Sequence, residues 1–212
     1  MVGKKNNVYK KLKFEIVTNV IGPGDALNEK KLMAEYHIGR TPLREIFILL
    51  QNEGLIEMIP KLGTFVSKIE MQEIKDSIEI RRELEGLVGI LAVERIFEDQ
   101  LINLKKIVAE MQNLQNQGSK SLKTWGTLDG EFHDILYEAT QNQKLKITIK
   151  NLHSTVVRFW YHLGMGWEVF SGALDDFTKV IEALENKNKI MTRKAMINHI
   201  DRFVKNMREK VF

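Results

Sequence analysis

Two arginines lie at the start of a segment whose residue types suit the recognition of DNA. Arg40 and Arg44 flank Thr41 and Pro42. The apolar residues of the segment repeat with a helical period at Leu43, Ile46, Phe47 and Leu50. We expect Thr41 to cap this helix and Pro42 to occupy its first position. A helix N-terminus attracts anions, and arginine pairs with guanine edges, so the segment predicts a recognition helix in the major groove.

The same two arginines have a simpler interpretation. Either could form a surface salt bridge, for example with Glu45 or Glu29. Isolated arginines usually do this, and such pairs contribute little to stability. Their position at the exposed start of one amphipathic helix favours the DNA-binding interpretation.

A second pair of residues could hold a metal ion. Asp129 and His133 are four residues apart, so they share one face of a helix. The chain has no cysteine, so a metal site must use His, Asp, Glu or Asn. Carboxylate and imidazole ligands suit zinc or nickel. Ordinary polar pairing along the helix is the alternative. We interpret His153 and His162 as structural or surface residues rather than ligands.

Residues 1–68, which contain Arg40 and Arg44, predict three helices followed by a hairpin. A polar start at residues 1–6 precedes a predicted helix over 8–20, and Asn28 is a plausible N-cap of the next helix. The recognition helix extends to about Asn52, and Gly54 suits its C-terminal end. Apolar runs at 55–59 and 64–66 flank a turn and predict a hairpin. Three helices and a hairpin predict a winged helix-turn-helix.

Residues 69–212 predict only helices. Helical patterns cover 72–97, 101–116, 122–139, 144–163, 173–185 and 192–210, with a break at 140–143, an irregular connection at 164–172 and a loop at 115–121. The fold class is therefore mainly α, with a winged helix-turn-helix followed by a bundle of six or seven helices.

Charge and hydropathy are distributed unevenly. Residues 1–68 hold 11 Lys and Arg against seven Asp and Glu, so the whole formal net charge of +4 lies there. Such localised positive charge favours nucleic acid as a partner. The longest apolar run, Leu87–Val93, is too short to span a membrane, and the first thirty residues lack a signal-peptide pattern. We expect a cytoplasmic protein without a membrane span.

Leu27–Val66 resembles the DNA-binding domain of the GntR family of bacterial regulators. The matching residues are Pro23, Gly24, Leu27, Glu29, Leu32, Arg40, Thr41, Pro42, Arg44, Glu45, Gly54, Leu55 and Gly63. The resemblance implies that DNA is contacted by Lys30, Gly39, Arg40, Thr41, Arg44, Lys61 and Gly63. His37 replaces the usual glycine, and Gly39 the usual serine or threonine. The second change removes a hydroxyl that could contact phosphate.

The remainder resembles the FCD domain of the FadR subfamily. The similar segments are Ile80–Ala92, Asp129–Leu136, Asn142 and Val180–Asn188. In metal-binding members two further histidines complete the ligand set. His199 matches one of them, whereas Phe177 occupies the position of the other and cannot bind a metal. Asp129, His133 and His199 could still hold a zinc or nickel ion, or the site could be lost. A small error in register would place Asp175 or Asp176 there.

The resemblance also implies an effector site. Arg81 and Arg158 are candidates for pairing with an effector carboxylate. For Arg81 the alternative is a salt bridge with Glu85, four residues on. The two aromatic residues after Arg158, Phe159 and Trp160, could form the wall of a pocket around it. Aromatic residues at this spacing are, however, usually part of the core.

These observations together predict a transcriptional regulator. We expect a homodimer that binds palindromic double-stranded DNA and acts as a repressor released by a small organic acid. A hydrolytic enzyme using Asp129, His133 and His199 is disfavoured because no general base or nucleophile lies beside them in the motif. Because of Phe177, a second interpretation also stays open, namely a DNA-binding protein whose helical domain is vestigial and binds no ligand.

Overall fold

The first unit of the protein is a winged helix-turn-helix. A computed structural model describes residues 2–118 and 121–211. The elements of this unit are α1 Val2–Val17, α2 Glu29–Tyr36, α3 Arg40–Asn52, β1 Ile56–Ile59 and β2 Gly63–Val66. Leu12, Ile16, Leu43, Ile46 and Phe47 are buried in its core, as the helical period predicts.

The first helix begins earlier than the sequence pattern indicates. It starts at Val2 rather than near residue 8, and it ends at Val17. The early turns contain no apolar stripe, but Lys5 pairs with Glu45 of α3 through an Nζ–Oε2 distance of 2.7 Å. The first turns of α1 therefore contact α3, although local periodicity does not indicate a helix there.

The helix-turn-helix corrects one prediction and confirms another. Gly39, not Thr41, is the N-cap of α3, and Arg40 is its first residue. Asn28 caps α2 as predicted, because its Oδ1 accepts a hydrogen bond from the Lys31 amide at 3.0 Å. His37 ends α2 in the left-handed region with φ of 50°. This conformation explains why glycine is usual there, since a side chain adds strain.

The wing is a short antiparallel hairpin. Its register pairs Ile56 with Val66 and Ile59 with Gly63. Lys61 lies in the connecting turn with φ of 67°, and Gly63 has φ of 132°. The hairpin therefore projects Lys61 at its tip, as the turn sequence predicts.

The second unit is entirely helical within the described residues. Its elements are α4 Met71–Arg95, α5 Glu98–Asn116, α6 Leu122–Ala139, α7 Gln143–His162, a 3₁₀ helix at Trp167–Phe170, α8 Ala173–Glu185 and α9 Lys189–Val211. By contacts, residues up to Lys75 and Ser154–Gly164 group with the first unit, and 76–153 and 165 onwards form the second. The loop predicted at 115–121 includes Ser119 and Lys120, which lie outside the described residues.

Two helices of this unit begin earlier than predicted because of capping. The Gln100 side chain accepts a hydrogen bond from the Phe97 amide at 3.0 Å, so α5 starts at Glu98. The Asn188 side chain accepts one from the Met191 amide at 3.0 Å, so α9 starts at Lys189. These are side-chain caps of the first turn, which apolar periodicity does not detect.

Helices α4 and α9 pack closely at a glycine. A Cβ placed on Gly89 would lie 3.0 Å from the Thr192 carbonyl oxygen and 3.1 Å from Cγ of Met196. The same two helices are joined by Arg82 and Asp201, with Nε–Oδ1 at 2.7 Å. Gly130 of α6 is the opposite case, because a Cβ there would meet nothing within 4 Å.

Alanine at these two glycines should have opposite effects on stability. Gly130→Ala should raise the free energy of unfolding by about 0.5–1 kcal/mol, because alanine favours the helix. Gly89→Ala should lower it by about 1–2 kcal/mol, since overpacking against a backbone outweighs that gain. Urea denaturation measures both. Equal stabilisation by the two substitutions would contradict the close packing of α4 on α9.

Candidate functional site

The start of α3 presents two arginines to solvent. Arg40, Thr41 and Arg44 are all exposed, while the other face of the helix is buried. Within residues 2–118 and 121–211 neither arginine forms an ion pair, and Glu45 pairs with Lys5 instead. The salt-bridge alternative for the arginines is therefore not realised. Their guanidinium groups are available for a ligand outside the chain.

The other residues predicted to contact DNA are also exposed: Lys30, Gly39, Lys61 and Gly63. Gly39 caps α3 without a side-chain hydrogen bond. The amide groups of the first turn of α3 are therefore not capped by a side chain, and such groups attract phosphate. This face combines fixed positive charge with an open helix end.

A buried cluster in the second unit brings together the predicted metal ligands. Asp129 and His133 on α6 and His199 on α9 each offer a ligand atom, and these atoms lie within 4.8 Å of one another. The two Nε2 atoms of His133 and His199 are 3.2 Å apart. A metal that binds two nitrogens at about 2.0–2.1 Å separates them by roughly 2.9–3.4 Å. The donor set and its spacing therefore fit a divalent metal ion.

The outer nitrogens of the two histidines face carboxylates. His133 Nδ1 is 3.5 Å from Glu85 Oε1, and His199 Nδ1 is 3.8 Å from Asp176 Oδ2. A carboxylate on this side favours the tautomer that carries its proton on Nδ1. At 3.2 Å the two Nε2 atoms can share a hydrogen bond, in which one donates to the other, or they can both bind one cation when each carries its proton on Nδ1.

Burial affects the protonation of the cluster. It is the largest cause that holds the pKa of His133 well below its usual value, with smaller contributions from His153, Arg81 and His199. His133 is therefore neutral at pH 7, as a metal ligand must be. Burial also raises the pKa of Asp129, while His199 and Arg81 act in the opposite direction.

Phe177 lies beside the two histidines. Its ring stacks on Phe132 with centroids 3.8 Å apart and lies 4.8 Å from the ring of His199. It packs beside the histidines and supplies no ligand atom. Asp176 does not replace it, because its carboxylate is held by Arg202 at 2.8 Å on the outer side of His199.

His153 also borders this cluster, which sequence reasoning did not anticipate. Its Nε2 is 3.7 Å from Asp129 Oδ2, and its ring centroid is 4.9 Å from that of His133. His153 lies on α7, so no helical spacing relates it to Asp129. Only the packing of α7 near α6 reveals the contact.

The two candidate effector arginines lie in different surroundings. Arg81 is buried and donates from Nε to Glu85 at 3.1 Å, which is the alternative that the sequence offered. Arg158 belongs to the first unit, where Nη2 donates to the carbonyl of Ser67. Arg81 and Arg158 thus belong to different units of the chain.

Comparisons with known proteins agree with this arrangement. The family described as bacterial regulatory proteins, gntR family, matches residues 4–66, and the FCD domain matches residues 76–202. The chain belongs to the GntR family. This GntR protein is similar to the HTH-type transcriptional repressor RspR of Escherichia coli K12, with 31% identity over 210 residues that cover 95% of the chain and 88% of RspR.

Further relatives support the same fold and class. The Nta operon transcriptional regulator of Aminobacter aminovorans is 31% identical over 137 residues, which cover 65% of the chain and 63% of that regulator. The structure of E. coli McbR/YncC matches with a TM-score of 0.85 at 20% identity over the full length of both chains. The GntR protein is therefore a DNA-binding transcriptional regulator rather than an enzyme. No helix among its described residues is long and apolar enough to span a bilayer.

Tyr137 supports the cluster through its hydroxyl group. The hydroxyl donates to Glu85 Oε1 at 2.6 Å, and both residues are fully buried. Burial and the neighbouring Glu85 raise the pKa of Tyr137 well above its usual value, so it stays a donor.

Tyr137→Phe should therefore lower the free energy of unfolding by about 1–3 kcal/mol, because the buried Glu85 carboxylate loses a donor. Chemical denaturation measures the change. Tyr161→Phe is the control, since the Tyr161 hydroxyl has no hydrogen bond among the described residues, and it should change stability by less than about 0.5 kcal/mol. Equal effects would contradict the role of this hydrogen bond.

Proposed function

We propose that this regulator binds a palindromic operator as a homodimer in the cytoplasm. The observation that carries the proposal is the pair of exposed arginines, free of ion pairs, at the start of α3 in a winged helix-turn-helix. One recognition helix contacts only a few base pairs, so two-fold symmetry doubles the length of DNA that is read. The positive net charge of residues 1–68 supports the same partner.

Within this proposal the contacts divide into two kinds. Arg40 and Arg44 would contact bases, most favourably guanine O6 and N7, because guanidinium pairs with them in bidentate fashion. Lys30 and Lys61 would contact phosphate or the groove wall. The three small residues, Gly39, Thr41 and Gly63, would let the backbone approach the DNA closely.

Arg44→Ala should weaken binding to the selected operator by about 1–3 kcal/mol and relax its sequence preference. Lys61→Ala should instead weaken binding to all sequences and reduce the salt slope by about one unit. The operator is first selected from random DNA with the wild-type protein. Fluorescence anisotropy then compares that operator with a scrambled duplex at several salt concentrations. Wild-type affinity and sequence preference in Arg44→Ala would overturn the assignment of Arg44.

For the helical domain we propose a divalent metal, zinc or nickel, held by Asp129, His133 and His199. The facing Nε2 atoms and the carboxylates behind each ring support this assignment. A bound metal would supply a Lewis acid to which the carboxylate of a small organic acid could bind. Arg81 would stabilise that carboxylate if it released Glu85, whereas Arg158 has only its sequence context in favour of such a role.

Control of DNA binding would follow from differential affinity. An organic acid that binds one conformation of the dimer better than another shifts the spacing of the two recognition helices. We propose repression by default, released by this acid. The name of the E. coli relative, a transcriptional repressor, supports that sign.

Phe177 favours a second candidate, a DNA-binding regulator whose helical domain binds no ligand. Its aromatic stacking on Phe132 fills the position of a family ligand with apolar surface. The two candidates differ in one observable property, which is whether metal binds to the folded protein.

Zinc or nickel should raise the melting temperature of metal-stripped wild-type protein by about 5–10 °C at 100 times the Kd. His133→Ala should lose most of this shift, measured against its own metal-free melting temperature. His162→Ala is the control, because His162 is exposed and should keep the wild-type shift. If metal leaves the wild-type melting temperature unchanged, the metal proposal is wrong and the ligand-free candidate is favoured.

A further inference from the structure

The proposed metal site lacks one histidine of the family ligand set, because Phe177 occupies that position. We propose that His153 of α7 is the fourth protein ligand in this chain. The site would then consist of one carboxylate and three imidazoles, drawn from α6, α7 and α9. This inference rests on the proposed metal site and assigns the ligand that the family pattern does not supply.

The distance to Asp129 carries the argument. His153 Nε2 lies 3.7 Å from Asp129 Oδ2. Two atoms that bind the same metal at about 2.0–2.2 Å are roughly 2.9–3.4 Å apart, so the observed separation is within a few tenths of an ångström of that range.

The ring of His153 also lies next to that of His133. The His153 ring centroid is 4.9 Å from that of His133, and the two rings are inclined at 69°. The ring of His153 is therefore adjacent to His133 while its Nε2 points to the ligand carboxylate. The His153 side chain is 12% exposed and that of Asp129 is 10% exposed, so the two lie at a similar depth.

Packing is the competing role for His153. Its ring also lies 6.3 Å from the ring of Tyr137 in an edge-to-face arrangement. An aromatic ring without a nitrogen would satisfy this role equally well. Replacement by phenylalanine therefore separates packing from ligation.

The test uses the full-length protein, stripped of metal and reloaded with Co²⁺ as the probe. Competition with a chelator gives the affinity, and the visible d–d spectrum reports the ligands. His153→Gln and His153→Phe should each lower the affinity at least about tenfold and alter the spectrum. His162→Gln, on the same helix but exposed, should leave both unchanged. Phe177→His added to His153→Gln should recover affinity by restoring a third imidazole.

The outcomes distinguish this inference from the proposed site. A wild-type protein that binds no cobalt overturns both. If the wild type binds cobalt and both His153 variants keep its affinity and spectrum, only the assignment of His153 is wrong. A lower affinity with an unchanged spectrum also overturns ligation, because it shows that His153 acts only on the position of Asp129.

Discussion

The helical domain depends on one constraint, the burial of two imidazole rings in contact. The Nε2 atoms of His133 and His199 lie 3.2 Å apart in its interior. His133 is fully buried, and His199 is nearly so. Burying such groups without partners costs several kcal/mol, so the surrounding chain must compensate. It does so with Glu85 of α4 behind one ring and Asp176 of α8 behind the other, each held by an arginine. The polar cluster thus connects four of the six long helices of this domain.

In α3 of the DNA-binding domain, one set of residues stabilises the fold and a different set is exposed for recognition. The buried residues of α3 pack against the core, and this packing fixes the direction in which its first turn points. Arg40 and Arg44 contribute nothing visible to that packing, since they are exposed and lack ion pairs among the described residues. The nearby acid, Glu45, is neutralised by Lys5 and therefore repels DNA less than a free carboxylate would. The first turns of α1 thus reduce the negative charge next to the recognition surface.

Features that depend on nearby residues could be predicted from the sequence. The presence of the helices, the Asn28 cap and the Arg81–Glu85 pair follow from spacings of four residues or fewer, and the wing follows from two apolar runs around a short turn. The assignment of Thr41 as a cap was wrong because Gly39 takes the extended cap conformation two residues earlier than the hydroxyl suggested. His153 was missed because its contact with Asp129 joins two helices, and no sequence period relates them. The candidate metal ligands could be proposed as a set only because the family resemblance supplied His199.

The central claim is that the helical domain of this GntR regulator holds a metal through histidine side chains. X-ray absorption of the zinc-loaded full-length protein tests it most directly. The account predicts a first shell at about 2.0–2.1 Å with outer-shell scattering from three imidazole rings. A shell of oxygen ligands without imidazole scattering would contradict it.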